Sequence, residues 1–112
     1  MRQLLPVAFS VLLAACALWP AGEDPKGKEL KAQATPVLAA LARYFKDKGE
    51  YPSSLHELVP RYLPAVPFAV GLRLDRDTKM IAFGYAPSWP QSGRVACTAR
   101  LGDREWSCQG NP

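Results

Sequence analysis

Few side chains in this chain could do chemistry. His56 is the single histidine, with Ser53 and Ser54 just before it. Together they could supply a base and a nucleophile, but nucleophile, base and an orienting acid must converge in space, and no third member is marked out. Ser54 and Glu57 have instead the Ser-x-x-Glu spacing of a capping box, in which each residue satisfies a backbone N–H at a helix start. A structural corner is therefore expected at His56, and no enzyme. Asp75 and Asp77 flank a turn and read as solvated turn residues rather than a metal or acid–base pair. Two further cysteines, Cys97 and Cys108, with one histidine do not complete a tetrahedral zinc set. Glycines occur singly, so no phosphate cradle is indicated. No metal and no cofactor are expected.

The third cysteine is different. Met1-Arg2-Gln3 is a basic start, residues 4–15 are an apolar run, and Ala14 and Ala15 close it. That is the pattern of a secretory signal peptide, about half of the roughly 20 residues needed to span a bilayer. Cys16 follows at once. Leu13-Ala14-Ala15-Cys16 resembles the bacterial lipobox at every position. The resemblance implies that the Cys16 thiol takes a diacylglycerol, that a peptidase cuts before it, and that Cys16 heads a mature chain held to the membrane by lipid. Pro6 inside the run and Arg2 as its single basic flank depart from the usual pattern. Ala17 stands where enteric inner-membrane lipoproteins carry Asp, which leans towards the outer membrane. The chain then belongs to the cell envelope and faces the periplasm.

Removing residues 1–15 leaves 97, one small domain. Cys97 and Cys108 remain as an even pair, and in a secreted chain such a pair is most simply a disulfide. The net charge of +4 falls to +3 without Arg2. Its basic residues are scattered among acidic neighbours, a solvated surface rather than a nucleic-acid stripe. No nucleic-acid partner is expected. Lys26, Lys28 and Lys31 are either a plain solvated helix face or a weak attraction for anionic lipid.

Trp19, Pro20, Gly22, Pro25 and Gly27 punctuate residues 16–27, which read as a tether. Trp19 either rests among lipid headgroups or folds onto the domain. From Lys28, the residues Leu30, Ala34, Val37, Leu38, Leu41 and Phe45 recur at helical spacing as one apolar stripe. Gly49 suits a left-handed C-terminal cap. Thr35-Pro36 interrupts the pattern: either Thr35 caps a helix starting at Pro36, or a longer helix bends there. Strand alternation follows. Asp77-Thr78 can turn a hairpin that pairs Leu74 with Ile81 and Leu72 with Phe83. Gly102-Asp103 can turn a second that opposes Ala99 to Trp106 and Cys97 to Cys108, within disulfide reach. In simple alternation the cysteines form a hydrogen-bonded pair. The fold expected over residues 28–112 is α+β: a long N-terminal helix packed on a four-stranded antiparallel sheet with one disulfide.

Ala42-Arg43-Tyr44-Phe45, then Gly49-x-Tyr51-Pro52-x-Ser54-Leu55-x-x-Leu58, then a small sheet with a late Cys pair, is similar to the globular domains of type IV pilins and type II secretion pseudopilins. The resemblance covers about residues 30–108. It implies a Tyr-Pro turn from helix towards sheet, and protein contacts in the envelope. A lipobox and a polar tether replace the pilin processing site and fibre-forming helix, so polymerisation is not implied. The expected role is a lipid-anchored, non-enzymatic protein-binding or accessory component, with an unknown envelope protein as partner. The alternative is a periplasmic inhibitor or immunity-type lipoprotein. Trp89, between Pro87 and Pro90, is the candidate contact residue; a large aromatic in a fixed loop makes a binding anchor. The other reading has Trp89 folded over the sheet edge. Trp106 and Tyr51 are expected in the core.

Overall fold

The computed structural model describes residues 19–67 and 70–111. The stretch read as a signal peptide, and Cys16 with it, lies outside the described residues. No helix among those described is long and apolar enough to cross a membrane.

Helix α1 spans Pro25–Lys48. It starts three residues before Lys28, inside the stretch read as a tether. Asp24 is its N-cap, with extended backbone and a carboxylate accepting from Gly27 N–H. Pro25 occupies the first helical position, where a missing N–H costs nothing. Gly49 ends the helix at φ 77°, its N–H donating to the Phe45 carbonyl at 2.8 Å. The helix runs unbroken through Pro36. Thr35 is not a cap; its hydroxyl donates to the Lys31 carbonyl at 2.7 Å, one turn back.

Ala34, Val37, Leu38, Ala40 and Leu41 are buried on one face of α1. Phe45 is not: it is 43% exposed and meets the Tyr51 ring at 4.6 Å between centroids. The last helical turn brings Phe45 to the rim of the core, where it shares an open hollow with Tyr51, Lys79 and Leu101 at one end of the sheet.

A short 3-10 helix, Leu55–Leu58, carries the expected capping box: Ser54 Oγ accepts from His56 N–H, and the Glu57 carboxylate accepts from Ser54 N–H. Leu55 and Leu58 point into the core. The sheet follows as β1 (Arg73–Asp75), β2 (Met80–Tyr85), β3 (Arg94–Arg100) and β4 (Ser107–Asn111), antiparallel and in chain order. Leu74 opposes Ile81 as expected. The ladder stops at Arg73 opposite Ala82, so Leu72 lies just beyond it. Ile81, Phe83, Tyr85, Val95, Cys97 and Ala99 form the buried face. This is an α+β fold, one helix on a four-stranded antiparallel sheet.

Cys97 opposes Cys108 and is bonded to it. Their Cα atoms are 4.0 Å apart, nearer the about 4.5 Å of a non-hydrogen-bonded pair than the about 5.5 Å of a hydrogen-bonded one. The second hairpin turns one residue earlier than Gly102-Asp103. Asp103 N–H donates to the Arg100 carbonyl at 2.9 Å, which centres the turn on Leu101 and Gly102. Residues 104–106 are irregular and restore the register. Trp106 is half-buried, edge-on to Phe83 at 5.0 Å, and Tyr51 is half-buried too.

Candidate functional site

Where β2 ends, the chain crosses over the start of α1. Tyr85, the last residue of β2, donates its hydroxyl to Asp24 Oδ1 at 2.6 Å. Ser88 donates both its N–H, at 2.8 Å, and its hydroxyl, at 3.0 Å, to Asp24 Oδ2. Lys26 N–H donates to Ser88 Oγ at 3.1 Å, and Gln91 N–H closes the loop on the Ser88 carbonyl at 3.0 Å. One buried carboxylate thus caps the helix and holds the loop of residues 86–91 to it.

Asp24 is 1% exposed. Burial pushes its carboxyl up, but the hydrogen bonds from Tyr85, Ser88 and Gly27 outweigh that and leave it below the ordinary carboxylate value. Tyr85 moves the other way. Burial, then its hydrogen bond to Asp24, then the charge of Asp24 raise its phenol well above its usual value. The approach is close enough to dictate sequence. A Cβ on Gly27 would lie 2.1 Å from the Tyr85 hydroxyl. Gly22, at φ 83°, lies against the disulfide, where a Cβ would come 2.7 Å from Cys108 Sγ.

This clamp displays Trp89. Its side chain is 89% exposed, one residue after the fixed Ser88. It does not fold back over the sheet edge. Trp19, 40% exposed, precedes a turn in which Glu23 N–H donates to the Pro20 carbonyl. Glu23 pairs with Lys31 on the helix flank.

The His56 corner has a different construction. Ser53 donates its hydroxyl to Glu57 Oε2 at 2.7 Å, and Ser54 caps the 3-10 helix. Tyr44 donates to Glu57 Oε1 at 3.2 Å. Chiefly through the Ser53 hydroxyl, Glu57 sits below the usual carboxylate range. His56 is exposed on a hollow of about 320 Å³ lined also by Val66, Leu72 and Leu74. Both serine hydroxyls are engaged in building the turn. Asp75 is engaged likewise: its Oδ1 accepts from Thr78 and Asp77 N–H at 3.2 and 3.0 Å, which lowers its carboxyl, Thr78 contributing most. Among the described residues, no group of three or more His, Cys, Asp or Glu is placed to hold a metal ion.

Asp24 is the residue of this site that the periodicity did not disclose. Its local signal was Asp24-Pro25, a strong N-cap followed by the residue favoured at the first helical position. No family model, curated protein or solved structure matches the chain.

Proposed function

We propose that this chain is a lipid-anchored protein of the bacterial envelope that works by contact rather than by turnover, as an accessory binding component facing the periplasm. The lipobox resemblance supports attachment through Cys16, with Ala17 favouring the outer membrane. The order of a long helix, a Tyr51-Pro52 turn and an antiparallel sheet with a Cys97–Cys108 bond supports kinship with pilin-like globular domains.

The observation that carries a contact role is Trp89, almost wholly exposed on a loop fixed by a buried carboxylate. A loop whose backbone is already fixed has less to lose in ordering on binding. Two substitutions in a complementation assay test the role. Trp89→Ala should impair function in a protein that still folds, and His56→Ala should leave function intact. The reverse result would replace contact by catalysis. Anchoring is tested separately: Cys16→Ser should accumulate uncut precursor, and normal cutting with a soluble product would defeat the lipid assignment.

A further inference from the structure

The exposed large hydrophobics among the described residues are Trp19, Trp89 and Phe45. Phe45 lies on the last turn of α1. Both tryptophans lie at the other end, where the chain leads back towards Cys16. Trp19 is three positions after Cys16, a span of about 11 Å at full extension. From Ala21 the chain is already laid on the sheet: Gly22 packs on Cys108, and Ala21 lies beside Gly110. A diacylated Cys16 would therefore hold the start of α1 and the loop of residues 86–91 against the bilayer surface.

We infer that this end of the domain is a membrane-docking face, with Trp89 seated among the headgroups of the same bilayer that holds the lipid on Cys16. The inference rests on the proposed lipid anchor and names the surface that Trp89 meets. Tryptophan favours the membrane–water interface, where its ring has apolar surroundings and its N–H meets polar ones. The first turns of α1 expose Lys26 and Lys28 beside Glu29, while Glu23 is paired with Lys31; the exposed lysines suit anionic headgroups. A protein hot spot needs a ring of near-neutral contacts that exclude water. Trp89 stands instead between Ser88 and exposed Pro90, with exposed Lys26 across the loop. A lone aromatic suffices at a bilayer because covalent anchoring makes the second contact intramolecular.

The test uses the mature acylated chain in phosphatidylethanolamine–phosphatidylglycerol vesicles doped with dibrominated lipid, which quenches tryptophan on contact. The native protein should float with the vesicles and lose part of its emission. Trp89→Phe should float equally and lose the larger share of that quenchable signal, and Trp19→Phe a smaller share. If Trp89→Phe floats and the quenchable emission is unchanged, Trp89 stands in water and is open to a protein partner; the docking face is then wrong and the anchor stands. A mature chain that carries no lipid and fails to float overturns the anchor and the docking face together.

Discussion

Two carboxylates in this domain receive nearly the same set of donors. Asp24 and Glu57 each accept four hydrogen bonds, drawn from a tyrosine hydroxyl, a serine hydroxyl and backbone N–H groups. Both lie below their ordinary carboxyl values. The difference is location and reach. Asp24 is buried and joins residues more than sixty positions apart, whereas Glu57 is exposed and ties mostly to residues three and four positions away. An exposed donor or acceptor exchanges a protein partner for water at little net cost. A buried one left without a partner bears its full desolvation penalty. The same chemistry thus shapes a local turn at Glu57 and fastens helix to sheet at Asp24.

The apolar core sets the scale for that comparison. Leu41, 1% exposed, should lose about 2–5 kcal/mol on Leu41→Ala, read from urea melts. Phe45→Ala should cost clearly less, because that ring is already half in water. Equal losses would mean that the last helical turn is packed more tightly than the structure has it. Asp24→Ala should come next, at about 2–4 kcal/mol. It removes the helix cap and also orphans the buried Tyr85 hydroxyl. Tyr85→Phe removes one bond to a charged acceptor and should cost about 1.5–3 kcal/mol.

The parts of this fold that repeat along the chain were legible in it. Alternation of Ile81, Phe83 and Tyr85 with Val95, Cys97 and Ala99 marked the buried face of the sheet, and the cysteine pairing followed from the same period. Gly49 marked the end of α1. The start of α1 was hidden because Pro25 and Gly27 read as breakers, while each has a positional reason: one at the first helical position, one under the Tyr85 hydroxyl. Phe45 kept the helical period but sits at the rim of the core, 43% exposed, since periodicity reports a face and not how completely it is covered. The Asp24–Ser88 clamp spans 64 positions, and no local pattern can announce such a contact. Trp89 could be named from its prolines, but whether it faced water depended on that clamp.

Acid and alkali should separate the partners in the buried clamp. Asp24 has a lowered carboxyl in the fold, so its stabilisation is fully present above the unfolded value near 3.8 and is lost as pH falls through the lower folded value. Tyr85 has a raised phenol, so its contribution is fully present below the usual 10.0 and is lost as pH rises through the folded value. Stability measured against pH should therefore decline at both limits. Asp24→Asn should flatten the acid decline and Tyr85→Phe the alkaline one. An acid decline unaltered by Asp24→Asn would assign it to the more exposed carboxylates Glu23, Glu57 and Asp75, which are also lowered.

The smallest effect is expected where the bonding diagram looks equally rich. Glu57→Gln keeps the length of the side chain and one acceptor oxygen, enough to receive the Ser53 or Ser54 N–H. Water can take over the Ser53 and Tyr44 hydroxyls, both of which belong to exposed or half-exposed residues. The links to Ser53 and Ser54 are also short-range, so they can persist in part in the unfolded chain and cancel from the difference. The urea midpoint of Glu57→Gln should stay within error of the native protein, and its function should be unchanged alongside His56→Ala. A loss as large as that of Asp24→Ala would show that the donor count, and not burial, sets the worth of these two carboxylates.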